Sequence, residues 1–378
     1  MRPGAASRHT ERSDEVNIDD LRKGIDGVDA ELVKLLAERF KLAKEIGLLK
    51  KEMGQPVTDS SREARVMGHI AALARQQGLD PDEVEGIYRQ VIAASRGIQS
   101  QVIAFQGEYG AYSQEAAMEL FGCEVDARPY ETLEDVFRAV EQGQADFGVV
   151  PVENSLEGSI SRTYDLLLDS SLRVCGESEL RVSHCLIANS GVSLEDIRRV
   201  FSHPQALGQC RAFFKHRDIE TVPAYDTAGS VKMIKEQGLQ DAAAIASARS
   251  AGIYGMQILR RAIEDNPYNF TRFFVLGKED CPPTGDDKTS LVFSVKHQPG
   301  SLFGFLGELA GGGINLTKIE SRPTRRKAWE YNFYLDFEGH RLDTAFINVL
   351  PGLEQYASFI KILGSYPRSV SAGRGQRE

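Results

Sequence analysis

The chain has 378 residues, 42% hydrophobic and 26% charged, with net charge −9 and a pI near 5.5, enough for two or three domains with sizeable cores. That balance leaves no basic face for nucleic acid, and an anionic ligand would need locally placed Arg and Lys. Five cysteines (Cys123, Cys175, Cys185, Cys210, Cys281) form no C-x-x-C pair, which argues against a disulfide framework or zinc site and fits a reducing cytoplasm. No run nears the roughly 20 apolar residues of a membrane span, and residues 1–14 and 369–378 read as disordered tails without a secretory signal.

From Ile18 the apolar positions Ile18, Leu21, Ile25, Val28, Leu32, Leu35, Leu42, Ile46 and Leu49 step by three and four, predicting one helix roughly 50 Å long. A small domain cannot cover that length, so the seam is expected to pack against a second copy of the chain. Arg39 interrupts the heptad between Leu35 and Leu42, where an unpaired guanidinium would cost several kcal/mol. Lys50 shares its face, whereas Arg22 is rotated by roughly 100° and would look toward a partner's site. On these residues alone an interhelical salt-bridge ladder explains the pattern equally well. Gly54-Gln55-Pro56 ends the helix, Ser60-x-x-Glu63 reads as a capping box opening a second, and a third, Pro81 to about Gln99, carries Ser95 and Gln99 on its apolar face.

Leu21-Arg22, Leu35-Leu36-Ala37-Glu38-Arg39, Lys50, Asp59-x-x-Arg62-Glu63 and Ser95-x-x-x-Gln99 resemble the active-site set of the all-helical chorismate mutases. The resemblance implies a helix-exchanged dimer in which Arg22, Arg39 and Arg62 bind the two carboxylates of chorismate. Lys50 and Gln99 would contact the ether oxygen, and Asp59, Glu63 and Ser95 would hold the hydroxyl side. No nucleophile is needed, because a pericyclic rearrangement is accelerated by holding a compact conformer and by cations placed where charge grows on the breaking C–O bond.

Beyond residue 100 the pattern changes. The apolar strand Phe147 to Val152 runs into Glu153-Asn154-Ser155, and helical spacing resumes at Ser159. Such a strand-to-helix junction would aim Glu153, Asn154 and Ser155 into a ligand crevice, unless it is only a helix cap with a solvated Glu. Val102 to Phe105, Val200-Phe201, Val222 to Tyr225 and Ala243 to Ala246 likewise end at polar turns followed by helical patterns. This predicts a mostly parallel α/β sheet in two lobes with a cleft between them, the first lobe receiving the last strand, Arg272 to Gly277.

Gly107-x-x-Gly110-Ala111-Tyr112-Ser113, Pro151-Val152-Glu153-Asn154-Ser155, Ser202-His203-Pro204-Gln205 through Gln209, Asp226-Thr227-Ala228-Gly229 and Asn269-Phe270-Thr271-Arg272-Phe273 resemble the prephenate dehydratase catalytic domain. The implied reaction is loss of water and CO2 from prephenate to give phenylpyruvate, without a cofactor or metal. By resemblance Thr271 would stabilise the departing hydroxyl, with Glu153 or His203 relaying a proton and Arg272 countering a carboxylate. Asn154, Ser202, Gln205 and Gln209 would orient the ligand, with Ser155, Thr227 and Phe273 completing its site. For His203, being held at a helix start by Pro204 is an equal alternative.

Ser290 to Lys296, Gly300 to Ala310, Ile314 to Ser321, Trp329 to Phe337, Leu342 to Leu353 and Ser358 to Leu363 read as βαββαβ, an antiparallel sheet with helices on one face. Pro299-Gly300-Ser301-Leu302 and Glu320-Ser321-Arg322-Pro323 resemble the two signature segments of the ACT regulatory domain, which binds phenylalanine between paired domains.

The expected architecture is therefore multidomain: an all-α chorismate mutase domain over 15–100, a two-lobed α/β prephenate dehydratase domain over 101–280, and an α+β ACT domain over 288–368. The implied protein is a cytoplasmic enzyme of phenylalanine biosynthesis, a homodimer or dimer of dimers, with phenylalanine as effector. Alternatives are arogenate dehydratase activity in the middle domain and a non-catalytic amino-acid sensor, which the cations of the first helices and Thr271 disfavour.

Overall fold

A computed structural model describes residues 18–52, 60–98, 101–123, 125–324 and 330–369, the side chains of 48, 50–52, 60, 61 and 96–98 excepted. The chain divides into two units, 1–100 and 101–378. The expected tails except Ser369, the Gly54 to Pro56 break, Asp59 and Gln99 lie outside the described residues, as do the side chains of Lys50 and Ser60.

The first unit is helical, with α1 Ile18–Glu52, α2 Ser60–Gln76 and α3 Pro81–Ile98. The heptad of α1 forms one continuous helix as its spacing predicts, and α2 and α3 bury Ile70, Ala71 and Ala74. The seam of α1 remains open in the single chain: Ile18 is 62% exposed, Leu35 53% and Leu49 57%.

The second unit contains three sheets. Its first lobe comprises β1 Val102–Gln106, α4 Tyr112–Phe121, β2 Asp126–Tyr130, α5 Leu133–Glu141, β3 Phe147–Asn154, β4 Gly158–Ser159, α6 Ser161–Asp169 and β5 Arg173–Arg181. The second comprises β6 Cys185–Ala188, β7 Arg199–Ser202, α7 Pro204–Gln209, α8 Arg211–Phe214, β8 Glu220–Pro223, α9 Thr227–Gln237, β9 Ala242–Ala246, α10 Ala248–Tyr254 and β10 Gln257–Arg260. The strand β11 Phe270–Gly277 then returns to the first lobe, giving sheet orders β2-β1-β3-β11-β5 and β10-β6-β9-β7-β8.

The expected mostly parallel sheet is corrected. The pairs β1–β2, β1–β3, β7–β8 and β7–β9 are parallel, but β11 runs antiparallel to both β3 and β5, and β6 antiparallel to β9 and β10. Crossing between lobes reverses the chain, so the strands beside each crossing are mixed.

The lobes meet closely at Gly110, whose φ is +93° and whose carbonyl accepts from the hydroxyls of Ser247 (2.8 Å) and Ser250 (2.9 Å) in the other lobe. A Cβ there would lie 2.6 Å from Ser250 Oγ, so both conformation and space demand glycine.

The last sheet holds β12 Asp287–Val295, α11 Ser301–Gly311, β13 Leu316–Pro323, β14 Tyr331–Glu338, α12 Thr344–Tyr356 and β15 Ala357–Pro367. Its order β13-β14-β12-β15 is antiparallel throughout, the predicted βαββαβ succession. Leu291, Phe293, Phe305 and Leu353 fill the core between this sheet and its helices, while Val292, Tyr334, Leu363 and Tyr366 on the other face share a core with Val152 and Phe274 of the first lobe. Among the described residues no helix is long and apolar enough to cross a membrane, and no His, Cys, Asp or Glu cluster could hold a metal ion.

Candidate active sites

In the helical unit Arg39 reaches α3. Its Nη1 donates to the Ser95 hydroxyl and, at 3.5 Å, to the Val91 carbonyl, while Ser95 Oγ donates to Val91 O at 2.7 Å. The cation that breaks the heptad thus meets a buried hydroxyl on α3. Arg22 lies exposed one turn from Asp19, at 3.2 Å, away from Arg39. Arg62 and Glu63 occupy the first turn of α2.

In the second unit a cavity of about 200 Å³ opens between the two lobes, lined by Tyr112, Asn154, His184, Thr271 and Phe273 among others. His203, Gln205, Gln209 and Thr227 join them, so these expected residues are brought together. The helices α4, α7 and α9 begin at this cleft, and the first residue pair of α4 has no side-chain cap. His203 caps α7 and Asp226 caps α9, so of the three only α4 starts without a side-chain cap, and no residue lining the space is Lys or Arg.

Inside the cavity one hydrogen-bond chain fixes every orientation. Asn154 Oδ1 accepts from the backbone N–H groups of Leu156 (3.0 Å) and Glu157 (3.1 Å), so its Nδ2 must face the other way. There it donates to Thr271 Oγ1 at 3.1 Å and to Asn269 Oδ1 at 2.7 Å. Asn269 Nδ2 in turn donates to Gln209 Oε1 at 2.9 Å, which also faces His184 Nε2 at 3.0 Å. An oxygen that can only accept places the proton of His184 on Nε2. Burial holds His184 below its ordinary pKa and pushes the neighbouring Tyr112 phenol well above its own. Both therefore stay neutral, with His184 Nδ1 3.1 Å from the Tyr112 hydroxyl. The consequence falls on Thr271: its oxygen is already accepting, so its own proton is the group offered to the cavity.

Two expectations are corrected by strand geometry. Arg272 follows Thr271 and therefore faces the other side of the sheet, where Glu177 and Asp336 bind it; it does not reach a carboxylate in the cleft. Glu153 also leaves the cleft, pairing with Lys318 at 2.7 Å. The register of β3 against β11 shifts between Arg272 and Phe273, leaving Val152 as the extra residue of a bulge. Plain alternation would have put Glu153 beside Pro151 on the cleft face; the bulge substitutes Asn154.

Two further residues hold the scaffold instead of lining the cavity. Ser155 laces its turn to Tyr268 O (3.0 Å) and Phe270 N (2.9 Å), and Ser202 is buried and donates to Ile245 O at 2.6 Å. In the last sheet Gly300, Ser301 and Leu302 open α11, whereas Glu320 meets Ser159 and Arg322 donates to Ser161 O at 2.6 Å. Ser321 and Pro323 lie on β13 beside them.

A family model described as chorismate mutase type II matches residues 21–100, and one described as prephenate dehydratase matches 103–281. The bifunctional chorismate mutase/prephenate dehydratase of Aquifex aeolicus is 40% identical over 357 residues, spanning 93% of this chain and 98% of that protein. The chain belongs to the bifunctional chorismate mutase/prephenate dehydratases.

Beside these bifunctional relatives stands the arogenate dehydratase/prephenate dehydratase 2 of Arabidopsis thaliana, 46% identical over 277 residues, with 70% of this chain and 72% of that protein covered. The crystal structure of a prephenate dehydratase from Arthrobacter aurescens, in complex with L-Phe, matches with TM-score 0.65 and 32% identity, covering 71% of this chain and 90% of that one. For a member of this family, sequence reasoning missed His184 and Tyr112 as cavity residues and Asn269 as the buried link between Asn154 and Gln209. Asn269 opens the run that carries Thr271, so its position in that run was the available signal; His184, isolated between β5 and β6, offered none.

Proposed function

We propose that the chain rearranges chorismate to prephenate in its helical unit and converts prephenate to phenylpyruvate in the cleft between its lobes. The observation that carries the second step is the Thr271 hydroxyl at the cavity wall, whose oxygen accepts from Asn154 and so leaves its proton free to be donated. In the reaction the bond from the ring to its carboxylate breaks, CO2 leaves, and the released electron pair completes the aromatic ring as the C–O bond to the hydroxyl breaks. Thr271 donates a hydrogen bond to that oxygen as negative charge develops on it. A threonine pKa is too high for efficient full proton transfer, so stabilisation is its role. The leaving oxygen finishes as water with a proton drawn from solvent or from His203 in the lining. The substrate carboxylates are received by the uncapped N-terminus of α4 together with Gln205 and Gln209, since Arg272 is elsewhere and the Asp226 carboxylate already caps α9.

In the helical unit the substrate carboxylates fall to Arg39, with Arg62 on α2 and Arg22 contributed by a second copy of the chain. The exposed α1 seam supports that pairing, because so long an apolar stripe is stable only when covered. Lys50, Asp59, Glu63 and Gln99 complete the site by resemblance. The last sheet is read as an ACT domain sensing phenylalanine, supported by its βαββαβ order and by the L-Phe bound in the Arthrobacter relative.

Arogenate is a second reading for the cleft, because Asp226 lines it and could pair with the substrate's ammonium; fusion to a mutase whose product is prephenate favours prephenate. Chorismate, prephenate and arogenate supplied separately test both. Prephenate formed from chorismate and phenylpyruvate formed from prephenate are expected, and phenylalanine formed faster from arogenate than phenylpyruvate from prephenate would reverse the choice.

A further inference from the structure

The two strands that carry Thr271 and Asn154 into the cleft carry Arg272 and Glu153 into the C-terminal sheet. The Arg272 side chain is 11% exposed; its Nε and Nη2 meet Glu177 at 2.8 and 2.7 Å, its Nη2 meets the Tyr366 hydroxyl at 3.0 Å, and its Nη1 meets Asp336 of β14. Asp336 is fixed in turn by the Ser290 hydroxyl at 2.6 Å. Beside it Lys318 of β13 binds Glu153 at 2.7 Å and Ser159 Oγ at 2.9 Å. A polar cavity of about 410 Å³ separates these two struts.

Adhesion between the domains does not need them. Val292, Tyr334, Leu363 and Tyr366 already share one apolar core with Val152, Phe274 and Leu276, and Tyr334 packs on Tyr164 with ring centroids 4.6 Å apart. Buried ions cost desolvation that their attraction often only repays. What they add over apolar contact is direction, because a bidentate guanidinium tolerates little displacement. A shift of β14 therefore pulls on Arg272, and through one peptide unit on Thr271. A shift of β13 pulls on Glu153, and through the next on Asn154.

We propose that Arg272–Asp336 and Glu153–Lys318 are positioning pairs for dehydration, through which the seating of the C-terminal sheet sets the aim of the Thr271 hydroxyl and its Asn154 donor. The proposal rests on the dehydratase reading of the cleft. Asp336 and Lys318 belong to another sheet and do not line the cleft, so they can affect turnover only through the residues they bind.

The test uses the full chain and prephenate. Asp336→Asn and Lys318→Met are each expected to lower kcat by about tenfold with KM within about twofold, measured well below the melting temperature of each variant. Arg272→Lys, which keeps one charged contact, is expected to lose less than Arg272→Met. A merely structural role is separated by a double-mutant cycle: on a Thr271→Val background, Asp336→Asn should lower kcat little further, because the group it positions is gone. Unchanged kcat in both single variants, or losses that multiply in the cycle, would overturn the proposal alone. Wild-type chain that leaves prephenate untouched would overturn the dehydratase reading and this proposal together.

Discussion

Asn154 and Thr271 face each other across β3 and β11, and the Asn154 amide donates to the Thr271 hydroxyl oxygen at 3.1 Å. The direction of that bond is set by the backbone N–H groups that hold the other end of the amide. Thr271→Val keeps shape and removes the donor, so kcat on prephenate should fall by roughly a hundredfold or more with KM little changed, the mark of an interaction made in the transition state. Asn154→Asp should lose a comparable amount for a different reason: a carboxylate accepts from Thr271 and turns its proton away from the cavity. Steady-state kinetics on both variants decide it, and a raised KM with unchanged kcat would make Thr271 a binding residue.

Arg39→Ala should abolish mutase turnover while dehydratase activity on supplied prephenate stays within a few fold, because the guanidinium contacts only α3 groups of its own unit among the described residues. Parallel assays with chorismate and with prephenate check it; retained mutase activity would remove Arg39 from the site.

A pH dependence follows from Asp226, which caps α9 through Gly229 N–H at 2.6 Å. Burial raises its pKa above the ordinary 3.8, with Glu108 adding to the rise against the pull of the Gly229 cap and His203. A carboxyl raised on folding binds its proton more tightly folded than unfolded, so its contribution is most favourable below pH 3.8 and declines as pH climbs through the raised value. Asp226→Asn keeps a capping oxygen and removes the buried charge. Thermal melts should therefore show the variant more stable than wild type near neutral pH, with the gain shrinking toward acid pH; a gain independent of pH would exclude the charge as its origin.

For the effector, removing the last sheet would be a poor test, since Val292, Tyr334 and Tyr366 share a core with the catalytic lobe. A point change at the start of α11 is cleaner. Ser301 is 6% exposed and follows Gly300, whose φ of +85° opens the helix without a side-chain cap, leaving N–H groups for a carboxylate. Ser301→Trp should leave uninhibited dehydratase turnover in place and abolish inhibition by phenylalanine. Inhibition at the wild-type concentration would move phenylalanine to the catalytic cleft.

The sequence made the largest elements legible because their periodicities are long. The heptad from Ile18 gave α1, and apolar runs broken by polar turns gave the strands of both lobes and the return of β11. What it concealed is what depends on a single residue. Period-two alternation from Val149 and Pro151 points Glu153 into the cleft, and the Val152 bulge, which no pattern announces, turns it out and brings Asn154 in. Arg272 reads as a substrate cation until its partners Glu177 and Asp336 are known, and they lie 95 and 64 residues away. His184 was silent for the same reason, meeting Tyr112 and Gln209 at separations of 72 and 25.

The cation-free lining of the cleft has a kinetic side. Prephenate carries two negative charges and must approach a chain of net charge −9, with the α4 N-terminus, which acts only within about a turn, as its attraction. Capture should therefore be slowed at long range, the reverse of electrostatic steering. Added inert salt screens that repulsion at distances beyond roughly 10 Å, so kcat/KM for dehydration should rise modestly with ionic strength while mutase capture of chorismate at the proposed arginine site should fall. The two halves of one chain would answer the same salt in opposite directions, and at low ionic strength the second would become the slower door through which flux must pass.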